Sequence, residues 1–304
     1  MKRTVLAEQF YTPAAIVDNC LELISKHYSL DDFDLLLEPS AGSGAFLSRL
    51  PESTRLGIDI LPAHPEVTRQ DFLTFQPELS TGKVMTIGNP PFGQRGSLAV
   101  KFIERAALFS DVIAFVLPRS FRKYTFQNRV PLNFHLIDQL DCDAFVTASG
   151  NPLTVKSVFQ VWERRSAPRE RIAPQRTHAD FEMRHAHLSK TTRQQFGRLC
   201  AEFDFAIPQV GAAFHPRDPR SLARGSYWFI RANAPGVRET FERLDFAFLD
   251  GMNTAHKSLS KADIIAAYIS AVGGDDDSAS SASPPSSLAS VSAPKWAELS
   301  QWEG

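Results

Sequence analysis

The sequence predicts an α/β fold: a mostly parallel sheet with an antiparallel hairpin at one edge, followed by a small α+β extension. Two observations lead to this prediction. Short apolar runs alternate with helical patterns along the first half of the chain, and several of these runs end directly in a loop rich in Gly, Pro or Asn. Such an alternation is typical of βαβ units, whose ligands bind beyond the carboxyl ends of the strands.

The individual elements follow from local patterns. Thr12 and Pro13 predict a helix start, since Thr is a good N-cap and Pro is favoured at the first helical position. Apolar residues at helical spacing continue from there to Ile24. Four further apolar runs predict strands at 34–38, 57–60, 83–87 and 111–117, and a helical pattern covers 97–109. Residues 134–140 and 155–162 are expected to form the antiparallel edge pair.

The chain is expected to divide into three segments. Residues 1–162 contain the predicted sheet. Residues 163–272 begin polar and rich in Arg and His, then regain a globular pattern from about residue 203, which predicts an extension with its own core. Residues 273–304 are rich in Ser, Ala and Pro and include an acidic run, a composition typical of disorder.

Composition excludes several classes of protein. The three cysteines, Cys20, Cys142 and Cys200, lie far apart without a CxxC pair, so neither a disulfide framework nor a zinc site is predicted, and no metal is expected. No segment is apolar enough to span a membrane, and the N-terminus lacks a signal-peptide core. We therefore expect an intracellular protein, in the cytoplasm or nucleus.

Charge is unevenly distributed. The formal net charge is −1, yet residues 92–135 contain seven Lys or Arg against two acids, a local balance of +5. Such asymmetry predicts a basic face on an otherwise neutral protein, as expected for contact with a polyanion.

The first candidate site is the loop after the first strand. Glu38 ends the strand, and Pro39 to Phe46 follow as a small-residue turn, PSAGSGAF. Glycines let a ligand approach the backbone closely. The loop lacks the GK[ST] of a phosphate-binding P-loop and departs from GxGxxG, so a ligand with an amino-acid and a nucleoside part suits it better than a dinucleotide.

Two acids follow at matching positions. Asp59 ends the next strand, where an acid can accept hydrogen bonds from both ribose hydroxyls. Asp71 could accept from an adenine amine, and the neighbouring Phe72 could stack on the ring. Each residue is also compatible with an ordinary turn.

The third site is Asn89-Pro90-Pro91-Phe92, after the strand at 83–87. The prolines fix the backbone and remove two N–H donors, which leaves the Asn89 side-chain oxygen and the Pro90 carbonyl as acceptors. Two fixed acceptors suit an NH2 group with two hydrogens to donate. Phe92 offers a flat face on which a base can stack.

Together these motifs resemble the amino-methyltransferase branch of the class I S-adenosylmethionine-dependent methyltransferases, above all its N6-adenine enzymes. In that family, segments like 38–46, 57–59 and 71–73 bind the cofactor, and one like 89–92 is the catalytic loop. Residues 9–13, QFYTP, are similar to the family's N-terminal cofactor segment. The order is the family's γ arrangement, and the resemblance covers residues 9 to about 162.

The resemblance implies a Rossmann-like class I methyltransferase sheet, S-adenosyl-L-methionine as cofactor, and direct in-line transfer to N6 of an adenine that is flipped out or single-stranded. Residues 1–162 would then be the catalytic domain and 163–272 a substrate-recognition extension. A second aromatic often clamps the base, and Phe145 is the candidate. The implied cofactor contacts are Tyr11, Thr12, Glu38, Ser40, Ala41, Gly42, Gly44, Phe46, Asp59, Ile60, Asp71 and Phe72.

Residues 118–129, here called the basic strip, are the predicted nucleic-acid contact. Arg119, Arg122 and Lys123 alternate with aromatics after a strand whose end lies at the same sheet edge as NPPF. Basic side chains could pair with phosphates while aromatics stack on bases. A helix with a solvated basic face and a buried aromatic face is the alternative.

Several functions stay open. An enzyme that methylates a protein glutamine amide would need the same acceptors, although such enzymes usually have an Asp-Leu-Gly type loop where this chain has Glu38-Pro39-Ser40. An inactive nucleic-acid-binding subunit is a further alternative. DNA is slightly favoured over RNA, but the extension is short for a sequence-reading domain and is compatible with RNA.

Overall fold

The computed structural model describes residues 10–78, 82–147, 149–211, 213–246 and 258–276. Seven strands form its main sheet: β2 Leu35–Glu38, β3 Arg55–Asp59, β4 Val67–Arg69, β5 Val84–Gly88, β6 Val112–Pro118, β7 Phe134–Asp141 and β10 Ser157–Arg164. Their order is β4-β3-β2-β5-β6-β10-β7. β2 to β6 are parallel to one another, and β10 is antiparallel to both β6 and β7. The predicted α/β fold, with a mostly parallel sheet and an antiparallel pair at one edge, is confirmed.

Helices cover both faces of this sheet. Helix α1 (Ala14–Ser25) packs with alternate residues of β6 such as Ala114 and Val116 in one core cluster. Helix α2 (Ser97–Ala106) packs with the intervening residues Phe115 and Leu117 in another. Because both faces are covered, β6 is buried along its whole length, as its continuous apolar run requires.

The start of α1 differs from the prediction. Pro13, not Thr12, is the N-cap residue, and no side chain caps this helix end. The Thr12 hydroxyl instead contacts Asn89. Helix α2 ends at Ala106, three residues earlier than predicted.

A second, small sheet fixes the N-terminal segment. Strand β1 (Phe10–Tyr11) pairs antiparallel with β8 (Ala144–Thr147), which pairs with β9 (Pro152–Thr154). The β8–β9 hairpin lies between β7 and β10 in the sequence. It holds residues 10–13 near the edge of the main sheet at which β5 ends, as the contact between Thr12 and Asn89 shows.

The extension has its own sheet and core. The short helix α3 (Tyr124–Gln127) still belongs to the first half of the chain. The elements of the extension are β11 Phe181–His187, α4 Arg193–Glu202, β12 Phe205–Pro208, β13 Ser226–Ala232, α5 Val237–Arg243 and α6 Lys261–Asp276. The strands form the antiparallel order β11-β13-β12. Separate apolar clusters lie on the two faces of this sheet. Strand β11 was not predicted, because its exposed positions are filled by charged residues and histidines.

The predicted tail boundary is displaced. Helix α6 continues to Asp276, so the change at residue 273 falls within a helix. The remainder of the predicted disordered tail, 277–304, lies outside the described residues. Within the described part of the chain, no helix has the length and apolar character needed to cross a bilayer.

Candidate cofactor and substrate site

The loop after β2 is held by the buried Glu38, whose side chain is only 2% exposed. Its carboxylate accepts the backbone N–H of Leu47 at 2.7 Å and that of Phe46 at 3.4 Å. The carboxylate thus anchors the far end of the Gly loop, residues 39–46. Glu38 also fixes the neighbouring strand end, since a Cβ on Gly88 would lie 3.1 Å from Glu38 Cγ.

Burial governs the titration of Glu38. The pKa of this carboxyl is raised to about 8, chiefly by desolvation and to a smaller extent by the charge of Asp59. The two backbone N–H donors act in the opposite direction because they stabilise the ionised form. Below about pH 8 the folded protein therefore holds a neutral carboxyl beside the Gly loop.

The Gly loop meets the end of β3 through Asp59. Asp59 Oδ2 accepts the N–H of Gly42 at 2.9 Å, and its Oδ1 accepts the N–H of Leu61 at 2.7 Å. Gly42 has φ +48°, a backbone conformation suited to glycine. A Cβ added there would lie 3.9 Å from Asp59 Oδ2 and 4.0 Å from Tyr11 Cε1. Tyr11, Gly42 and Asp59 therefore converge around one small space.

Other predicted cofactor residues occupy different surroundings. Ser40 is half-buried, while Ala41 is buried and Gly44 adopts φ +76° against the ring of His64. Ile60 is 44% exposed beside Asp59, so its apolar side chain is available to a ligand. Asp71 is exposed, and its Oδ1 accepts the N–H of Leu73, a local turn contact.

Two predicted aromatic contacts are wrong. Phe72 is fully buried, and its ring packs against those of Phe102 and Phe109, with centroids 5.0 and 6.2 Å away. Phe46 is also fully buried and stacks on Phe159 at 6.3 Å. Both rings belong to the core, so neither is available to stack on an adenine.

The NPPF loop leaves β5 at the same edge. Asn89 Nδ2 donates to Thr12 Oγ1 at 3.2 Å. Asn89 Oδ1 is buried and has no hydrogen-bond partner among the residues that the structure describes. Pro90 is buried, and Phe92 is half-buried against the core. A buried acceptor without a donor costs free energy, about 1–3 kcal/mol, and marks a place where a donor group is expected.

The two arginines of the basic strip take part in ion pairs within the protein. Arg119 pairs with Asp143 at 2.5 Å and with Asp141 at 3.4 Å, and its side chain is only 10% exposed. Arg122 pairs with Asp141, the last residue of β7, at 2.6 Å. These ion pairs give both arginines a structural role, and their predicted contact with phosphates stays a prediction. Lys123 is half-buried, and its predicted role stays a prediction.

Phe145 is also misassigned as a substrate contact. It lies in β8 rather than in a loop and is buried in the core cluster that contains α1. Its ring presents no face on which a base could stack.

Two features were missed by the sequence analysis. The bond between Thr12 and Asn89 joins residues 77 positions apart, and no local pattern signals it. A concentration of cations in the extension was noted only as an Arg-rich stretch. Between Arg184 and Arg224 there are seven Lys or Arg against three acids.

A cavity of about 530 Å³ lies elsewhere, at the amino ends of β2 and β3, and is lined by Asp34, Thr54, Arg55 and Phe75 among others. It is on the edge opposite the Gly loop and plays no part in the site. In the described ranges, no group of three or more His, Cys, Asp or Glu side chains is placed to hold a metal ion.

No protein-family model matches the sequence, and no curated protein matches it. Solved structures with similar architecture include a protein provisionally named as an RNA methyltransferase from Pyrococcus horikoshii, with 18% identity over 53% of this chain and 89% of that one and a TM-score of 0.42. The 23S rRNA methyltransferase ErmE is 18% identical over 53% and 71% of the two chains, with a TM-score of 0.37.

A third is the magnesium protoporphyrin IX methyltransferase of Synechocystis PCC 6803 with bound S-adenosylmethionine, 13% identical over 50% and 79%, with a TM-score of 0.37. All three TM-scores are below 0.5, so these similarities decide nothing about activity. The fold assignment depends on the strand order and strand directions described above.

Proposed function

We propose that this protein is an S-adenosylmethionine-dependent methyltransferase that methylates the exocyclic N6 amine of adenine in a nucleic acid. The observation that carries the proposal is the buried Oδ1 of Asn89 at the carboxyl end of β5, which has no hydrogen-bond partner in the described part of the chain. Together with the adjacent Pro90 carbonyl, it offers two acceptors to an NH2 donor. The Gly loop and Asp59 lie at the same edge of the sheet.

The residues around the Gly loop fit the proposed cofactor. The space between Tyr11, Gly42 and Asp59 is one that a Cβ on Gly42 would enter. Asp59 has a carboxylate that accepts two N–H groups and keeps lone pairs for ribose hydroxyls. Exposed Ile60 offers an apolar contact to a purine ring. When bound, S-adenosylmethionine supplies a methyl group on a sulfonium, which a neutral amine can attack in line.

The contribution of the chain is then positional. Asn89 Oδ1 and the Pro90 carbonyl accept the two N–H bonds of the amine and direct its lone pair away from both acceptors. Phe92 can pack against the ring that bears the amine, since it is half-buried beside these acceptors. No strong general base is needed, because the amine attacks while neutral and its extra proton leaves afterwards to water.

A nucleic-acid substrate is supported by the extension. Four cations in the turns and at the helix start around its sheet, here called the basic edge, are Lys190, Arg193, Arg220 and Arg224. The turn Leu188–Lys190 is tied to Gly225 by a 2.7 Å backbone bond, and α4 packs on the turn Pro219–Ser221. Of these four cations, only Arg220 has an acidic partner within the described residues, Asp218 at 4.0 Å. A polyanion would neutralise the others.

The decisive experiment incubates the protein with S-adenosylmethionine carrying a tritiated methyl group. Matched DNA and RNA of one sequence, single- and double-stranded, are compared with a panel of glutamine-containing proteins. We expect label in N6-methyladenine. Label in a glutamine side chain would replace the proposal with the protein-modifying alternative, and label in neither would overturn it.

The same assay tests Asn89. Removing an acceptor that acts on the reacting group is expected to lower kcat of Asn89→Ala by about 100-fold. Cofactor affinity, measured by calorimetry, should stay near that of the wild type. Asn19→Ala, at an exposed position of α1, is the matched control. Normal turnover by Asn89→Ala would remove Asn89 from the catalytic machinery.

A further inference from the structure

We infer that Thr12 is a positioning residue for the proposed methyl transfer: its hydroxyl holds the carboxamide of Asn89 with the oxygen turned toward the substrate amine. This inference rests on the proposed function and adds to the predicted cofactor contact of Thr12 a role that acts through Asn89. The observations are the 3.2 Å bond from Asn89 Nδ2 to Thr12 Oγ1 and the absence, among the described residues, of a hydrogen-bond partner for Asn89 Oδ1.

The contact between Thr12 and Asn89 bears on which end of the carboxamide faces the substrate. A carboxamide has two ends of similar size, and a half-turn about its last bond exchanges the donor NH2 for the acceptor oxygen. With the NH2 turned outward, the site would present a donor to a substrate amine that is itself a donor. Only the observed orientation gives attraction. In the structure the Thr12 hydroxyl accepts from the NH2 end, and among the described residues the oxygen has no hydrogen-bond partner.

The surroundings fix Thr12 in place. The residue is 8% exposed, and the adjacent Tyr11 is paired with Val146 of the β8–β9 hairpin. Asp143, at the start of that hairpin, accepts the N–H of Ser157 and pairs with Arg119. The ion pairs of the basic strip therefore hold the hairpin, the hairpin holds residues 10–13, and Thr12 orients Asn89.

The experiment compares Thr12→Val, which keeps the shape and loses the hydroxyl, with Thr12→Ser, which keeps the hydroxyl. Loss of one hydrogen bond of this kind is expected to lower kcat of Thr12→Val by about tenfold, with little change in KM for the polynucleotide. Thr12→Ser should recover most of the loss. The matched control is Thr240→Val in α5, since Thr240 is also 8% exposed and its hydroxyl bonds only within the extension.

Two further measurements separate positioning from a structural effect. In the double variant with Asn89→Ala, the Thr12→Val change should cost nothing more, because Thr12 acts through Asn89. The side-chain amide signals of Asn89 in a proton–nitrogen correlation spectrum, identified by their loss in Asn89→Ala, should shift in Thr12→Val and stay in place in Thr12→Ser.

The outcomes divide cleanly. A tenfold loss confined to kcat, recovered by Ser and absent from the double variant, supports the inference. Unchanged Asn89 amide signals in Thr12→Val overturn it whether or not the protein has activity. A tenfold fall in kcat of Thr240→Val, or a rise in the KM of Thr12→Val with unchanged kcat, also overturns it. If the wild-type protein methylates no polynucleotide but Thr12→Val does shift the amide signals, the proposed function fails while the contact itself stands.

Discussion

The buried carboxyl of Glu38 makes the stability of the fold depend on pH in an unusual direction. Burial raises its pKa from the ordinary value of 4.5 to about 8. The folded state therefore binds a proton more tightly than the unfolded chain between these two pH values. The carboxyl causes no loss of stability below about pH 4.5. As the pH rises from about 4.5 to about 8, Glu38 is ionised in more of the unfolded chains and must take up a proton on folding. The free energy of unfolding therefore falls over this range.

The size of the effect follows from the same two values. One pKa unit corresponds to about 1.4 kcal/mol, so the free energy of unfolding is lowered by about 3 kcal/mol at pH 7 and about 4 kcal/mol at pH 8. The substitution Glu38→Gln removes the titration. Its amide oxygen can still accept the N–H of Leu47, which bonds to Glu38 at 2.7 Å.

Melting temperatures of the wild type and Glu38→Gln, measured by calorimetry from pH 5 to pH 8, test this reasoning. The difference, variant minus wild type, should increase by about 10 °C over that range, at about 2–4 °C per kcal/mol for a chain of this size. Glu22→Gln, on an exposed position of α1, should follow the wild type throughout. A difference that stays constant with pH would show that Glu38 is ionised at neutral pH in the folded protein.

Three further predictions concern the proposed ligand contacts. Asp59→Ala should weaken cofactor binding by about 10- to 100-fold, since it removes a charged acceptor for ribose hydroxyls; an unchanged Kd by calorimetry would leave Asp59 as an anchor of the Gly loop only. Arg119→Met should lower the melting temperature, because it leaves Asp143 without its 2.5 Å partner, and should keep the salt dependence of nucleic-acid binding. The double variant Lys190→Ala with Arg193→Ala should keep the melting temperature and reduce the salt dependence of nucleic-acid binding. If Arg119→Met reduces the salt dependence and the double variant does not, the basic strip is the phosphate contact.

Much of the main sheet was predictable because its signals are local. The strands β2, β5 and β6 are mostly apolar, and each ends at or directly before a Pro or Gly where the chain must turn. The edge pair of β7 and β10 followed from two such runs with no crossover between them. Strand β4, only three residues long with two of them exposed, carries too little apolar signal to be recognised.

The candidate site was predicted less completely. Small residues and acids at strand ends were correctly located, since position after a strand is a property of the sequence. Whether an aromatic ring faces a ligand or the core depends instead on which elements cover it in the folded protein. Phe72 and Phe145 turned out to be core residues because helix α2 and helix α1 cover the respective sheet faces.

The sequence by itself determined where the main apolar strands lie along the chain, the composition of the Gly loop and the acceptor character of Asn89-Pro90, because each depends on residues that are adjacent in the chain. The tertiary structure decided which charges are neutralised and which polar atoms are left without a partner. Arg119 and Asp143 are 24 residues apart, and Thr12 and Asn89 are 77 apart, so only folding could bring either pair together. The physical reason is that burial and pairing belong to contacts between distant segments, and a local pattern contains no information on the partner.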